Sequence, residues 1–78
     1  MTTQGLITDP RDANDTFATA LRELKEMIES GDNSASYGEA NRDEMFKIHG
    51  IADTPETRRA LYDQEIEAGF RNIDGTWK

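Results

Sequence analysis

The chain has no cysteine and no valine, one histidine, one tryptophan and two prolines in 78 residues. Without cysteine there is no disulfide staple and no thiolate metal site, two devices by which small domains supplement a thin core. Leucine, isoleucine and phenylalanine together supply only thirteen residues, less than the roughly one-fifth share at which a charged chain begins to read as disordered. A chain this short makes one domain at most, with a marginal core. The longest uncharged run, Met1 to Thr8, is too short and polar to span a bilayer, and no basic segment precedes an apolar one. A cytoplasmic chain with no membrane partner is therefore expected. No stretch alternates apolar and polar residues over five or more positions, so the signature of a sheet is missing and the expected class is all-α.

What is plentiful is acid. Sixteen acidic residues against nine basic ones give a net charge of −7, which repels phosphate backbones and attracts basic proteins. The acidity is spread along the chain and no basic arm stands out, so a partner protein with a basic surface is favoured and nucleic acid is disfavoured. Net charge of this size also serves solubility.

Three helices are predicted, near 10–30, 37–49 and 55–69, between a leader (1–9) and an aromatic tail (70–78), both expected to be flexible ends. Asp9-Pro10 is a start signal, an acceptor for orphan backbone N–H groups followed by a residue that needs none. Phe17, Leu21, Leu24 and Ile28 then recur at helical spacing, with Ala13, Ala20 and Met27 widening the stripe. Asp12, Asp15, Glu23 and Glu26 fall on the other side as an acidic surface, and Gly31 supplies the stop. Within the leader, Leu6 and Ile7 are the anchors. Ser36 and Glu39 fit a capping box for the second helix, which ends at Gly50. Its stripe is thin: Tyr37, Met45 and Ile48 line up while Phe46 points away. Thr54-Pro55-Glu56 repeats the start signal. The third helix carries two apolar patches, Tyr62, Ile66 and Phe70 on one side and Ala60, Leu61 and Ala68 on the other, so that one side is left for a partner. Asn72-Ile73-Asp74-Gly75 is turn chemistry. The spacing Leu24-x3-Ile28-Glu29-Ser30-Gly31 recurs as Tyr62-x3-Ile66-Glu67-Ala68-Gly69, which we read as two similar helix ends.

No set of residues points to catalysis. His49 is the only imidazole, no thiol exists to pair with it, and its place at a helix C-terminus is explained by the dipole. Asp9-x2-Asp12-x-Asn14-Asp15 lacks the glycine and the final glutamate of a calcium loop. The six glycines are isolated at boundaries and build no phosphate cradle. No cofactor and no metal are expected. Ser30, Ser34 and Ser36 lie outside any Asp-Ser-Leu-like attachment motif, so a carrier-protein role is rejected.

Two local resemblances remain. Phe46 through Leu61, with Gly50-Ile51 at the turn and Arg58-Arg59-Ala60-Leu61 beyond it, resembles a helix-turn-helix. Its continuation through Ile66-Glu67-Ala68-Gly69-Phe70 is similar to the helix end before the wing of winged repressors, so that residues 39–77 are covered. This resemblance implies a DNA-binding regulator using Arg58, Arg59 and Arg71. The sequence departs from it by one extra residue between Gly50 and Arg58 and by Glu56, Asp63, Glu65 and Glu67 where a groove-reading helix carries few acids. Tyr62 through Phe70 resembles the toxin-clasping helices of small bacterial antitoxins, without their basic DNA-binding strand, and implies a helix that orders on a protein.

The sequence thus reads as a small acidic, non-enzymatic partner-binding protein of inhibitor or accessory type, such as a toxin neutraliser or a phage-encoded host modulator. The alternatives are the helix-turn-helix regulator and a small structural component of a larger assembly such as a virion. The expected contact residues are Tyr62, Ile66, Phe70, Ile73 and Trp77, set apart from the core, so that loss of residues 71–78 would leave helicity intact.

Overall fold

The computed structural model describes residues 6–78 and contains α1 (Pro10–Glu29), α2 (Glu39–His49) and α3 (Pro55–Glu67), a small all-α domain as the spacing predicts. The start of the leader, residues 1–5, lies outside the described residues. No helix among those described is long and apolar enough to cross a membrane.

The start signals of α1 and α3 work as expected. The Asp9 side chain accepts from the Arg11 backbone N–H at 2.9 Å. At α3 the Thr54 hydroxyl accepts from the Thr57 N–H at 3.2 Å while the Thr57 hydroxyl accepts from the Thr54 N–H at 3.0 Å, a reciprocal cap built with threonine where glutamate is usual. The two matching sequence ends give matching caps. Ser30, Gly31 and Asp32 donate to the carbonyls of Glu26, Ile28 and Met27, and Ala68, Gly69 and Phe70 donate to those of Gln64, Ile66 and Glu65. Both close the helix through a glycine at φ near +90°, the geometry of a Schellman stop.

α2 starts later than expected. The Ser36–Glu39 capping box does not form: the N-cap is Gly38, in an extended conformation and without a side-chain cap. Tyr37 is drawn out of the helix to the base of α3, and Glu39 turns towards Arg42 and Arg71. The buried face of α2 is also different. Met45 and Phe46 are both in the core, whereas Ile48 is 70 % exposed. Positions 42, 45, 46 and 49 share one helical face, and the charge of Arg42 at one of them hides that stripe from a hydropathy reading. Met27, expected to widen the α1 stripe, is 44 % exposed.

α1 and α3 form the principal helix pair, with Gln64 Nε2 donating to Asn14 Oδ1 at 2.6 Å across it. Ala13, Phe17 and Leu21 meet Ala60 and Leu61, and the Phe46 ring meets Phe17 edge-on at 5.3 Å between centroids. The leader docks through a parallel bridge. Ile7 donates to the Gly50 carbonyl and accepts from the Ala52 N–H, each at 2.8 Å, which pins the turn between α2 and α3.

The tail is folded. Asn72 donates to the Thr76 carbonyl, Gly75 to that of Asn72 and Lys78 to that of Phe70, making a tight hairpin closed by an Arg71–Trp77 bridge. Phe70 packs on the core cluster. The tail thus packs against the core, and the reason lies beneath it.

Candidate functional site

α3 presents Thr57, Ala60, Leu61 and Glu65 to the interior. Glu65 is fully buried, and an unpaired carboxylate there would be prohibitively costly. It is matched from three directions. Arg71 Nε donates to its Oε1 at 2.6 Å, Arg42 Nε donates to its Oε2 at 2.9 Å, and the Tyr37 hydroxyl also donates to Oε2. Glu39 lies 3.7 Å from both guanidiniums, so two acids and two bases close a cluster of zero formal charge. Burial, followed by the hydrogen bond to Glu65, raises the Tyr37 phenol well above its ordinary range, so it stays protonated and donates.

Arg71 is the hub. Its guanidinium lies 3.8 Å from the centroid of Trp77 and 5.0 Å from that of Tyr62, and its second arm donates to the Gly75 carbonyl at 2.8 Å. A planar cation close to two rings, bonded to a carboxylate and a carbonyl, uses both the face and the edge donors that a guanidinium offers. Gly75 at φ +94° completes the turn, and a Cβ there would collide with the Tyr62 hydroxyl. The sequence reading missed Glu65 and Tyr37 in these roles. Glu65 falls at the same helical face as Leu61 and Ala68, which was the available signal.

This arrangement divides the expected contact residues between two faces. Phe70 and Trp77 lie with Tyr37 in a groove, the rings of Tyr37 and Phe70 being 5.0 Å apart and those of Tyr37 and Trp77 5.9 Å apart. Tyr62 and Ile66, half-buried, and Ile73, 91 % exposed at the hairpin tip, line a separate shallow depression with Pro55. Asp12, Asp15, Glu23 and Glu26 are exposed on α1.

The three arginines of the DNA-binding reading are each engaged within the chain. Arg58 grips Asp53 with both arms, at 2.5 and 2.7 Å, reaches Asp43 at 3.0 Å and lies over the Phe46 ring. Arg59 pairs with Asp63 at 3.3 Å. Arg71 belongs to Glu65. The Asp53 carboxyl is held below the ordinary aspartate range by its bond to Arg58. His49 closes α2 as expected. Among the described residues no group of three or more His, Cys, Asp or Glu side chains is placed to hold a metal. No protein-family model, curated protein or solved structure matches the chain.

Proposed function

We propose that this chain is a non-enzymatic protein-binding module of the inhibitor or accessory kind, and that it meets its partner through Tyr62, Ile66 and Ile73. The observation that carries this reading is the placement of Ile73. An isoleucine 91 % exposed gains nothing for the fold, yet the turn presenting it is anchored through Arg71 to a buried carboxylate. A pre-ordered apolar side chain beside Tyr62 and Ile66 is the form of an interface anchor, since little freedom remains to be lost on association. Around it the exposed side of α3 carries Glu56, Asp63 and Glu67, and the three arginines that line the depression, Arg42, Arg58 and Arg59, are each already paired with a carboxylate of the chain. That rim suits a basic partner and would act mainly on the rate of encounter. The internal engagement of Arg58, Arg59 and Arg71 weighs against the helix-turn-helix reading, because phosphate contacts need cations free to release counterions.

The test is a photo-cross-linking residue at position 73, with a second at Met27 as control, in extract of the source cells. The expected result is one basic protein captured from position 73 and not from 27, whose binding, remeasured with purified components, weakens at least tenfold on Ile73→Asp. Capture of DNA-bound material would support the regulator. Cross-links only between copies of this chain would support the assembly component.

A further inference from the structure

The second face left by the hairpin is a groove of about 560 Å³ between the end of α1, the segment before α2 and the tail. Tyr37, Phe70, Trp77 and Ile28 give it apolar walls, and Lys25 and Lys78 lie at its mouth. The volume is within the range of small-molecule sites, which are largely apolar with a few polar groups that fix orientation. Two of the three lysines of a chain with net charge −7 are gathered here.

Lys25 differs from most of the basic residues. Arg11, Arg42, Arg58, Arg59 and Arg71 each have a carboxylate within 4.0 Å. The Lys25 ammonium, half-buried, has none among the described residues; it lies 3.4 Å from the Gly69 carbonyl and 5.1 Å from the centre of the Phe70 ring. Neither contact neutralises it. Glu39, the acid on the groove's wall, is 3.7 Å from Arg42 and from Arg71, so its charge is directed into the neutral cluster. A positive mouth over aromatic walls, in a protein negative elsewhere, selects an anion with a flat apolar body. Lys25, the half-buried one of the two lysines, suits a single carboxylate held against the rings, whereas the charge of exposed Lys78 is screened by water and salt.

We propose that this groove binds a small aromatic carboxylate, its ring against Tyr37, Phe70 and Trp77 and its carboxylate on the Lys25 ammonium. The site shares no lining residue with the Ile73 depression, so the two readings stand or fall separately.

The probe is 2-naphthoate, titrated into the ¹⁵N-labelled protein through the millimolar range, with neutral 2-naphthamide in parallel. The expected result is saturable shifts of the Trp77 indole and the Gly69 and Phe70 amides, with the amide binding at least tenfold more weakly. Lys25→Gln should weaken naphthoate at least tenfold and leave naphthamide unchanged, and Lys25→Arg should retain binding. Equal binding of acid and amide, shifts centred on Tyr62 and Ile73, indifference to Lys25→Gln, or shifts that never saturate would each overturn the assignment.

Discussion

Arg71 donates from Nε to the Glu65 carboxylate at 2.6 Å, and this contact ties the hairpin to the inner face of α3. Removing the arginine leaves a buried carboxylate short of its closest cationic partner, which costs far more than the pair itself contributes. Arg71→Ala is expected to destabilise the protein by about 3 kcal/mol, read as a lower urea midpoint. Removing residues 71–78 should reduce helicity, contrary to what the sequence alone suggested. Replacing Glu65, Arg42 and Arg71 together by Leu or Met should recover most of the loss, because no buried orphan charge then remains and Glu39 is exposed to water.

Gly75 and Gly31 separate two costs that are usually confounded. Both have φ above +90°, but a Cβ at Gly31 meets open space while one at Gly75 meets the Tyr62 hydroxyl. Gly31→Ala should cost about 1 kcal/mol from backbone conformation alone. Gly75→Ala should cost at least twice that, roughly 2 kcal/mol or more, and should shift Trp77 emission, which Gly31→Ala should not.

Much of the fold was legible and one part was not, for a definite reason. Asp9-Pro10 and Thr54-Pro55 mark helix starts because a side-chain acceptor and a missing donor solve a local problem, and both appear at the expected residue. The glycine stops are equally local. The buried faces of α2 and α3 are not local: Arg42, Thr57 and Glu65 occupy interior positions, and a polar residue there reads as solvent-facing until its partner is known. Those partners for Glu65 sit 28 and 23 positions earlier and 6 later. The aromatic contact residues were visible as a cluster in sequence, but their division into two faces depends on Arg71 coming between Tyr62 and Trp77.

Thr57 is fully buried, and its hydroxyl both donates to the Ala52 carbonyl at 2.5 Å and accepts from the Thr54 N–H. Thr57→Val keeps the shape and strands both groups, so a loss of about 1–2 kcal/mol is expected in chemical denaturation. Thr57→Ser should recover most of it.

Asp9, Asp32, Asp53 and Asp74 all titrate below the ordinary aspartate value of 3.8, each because a hydrogen bond holds the charged form: Arg11 at Asp9, Ser34 at Asp32, Arg58 at Asp53 and Thr76 at Asp74. A lowered folded value means that the unfolded chain binds protons first. The stabilisation is therefore complete above pH 3.8 and is lost as pH falls through the lowered values. Carbon-detected carboxyl titration should place these four below 3.8, and Arg58→Ala should move Asp53 back up towards the ordinary value.

Among the described residues eleven are buried, and three of them, Thr57, Glu65 and Arg71, are polar or charged. Exposing apolar surface to water raises the heat capacity and exposing polar surface lowers it. Unfolding should accordingly show a heat-capacity change per residue below the usual 12–15 cal/mol/K, measurable by calorimetry as roughly 10 cal/mol/K or less. A small heat-capacity change flattens the dependence of stability on temperature. The mixed interior therefore predicts a protein of modest maximum stability that holds what it has over a wide thermal range, with little tendency to cold denaturation.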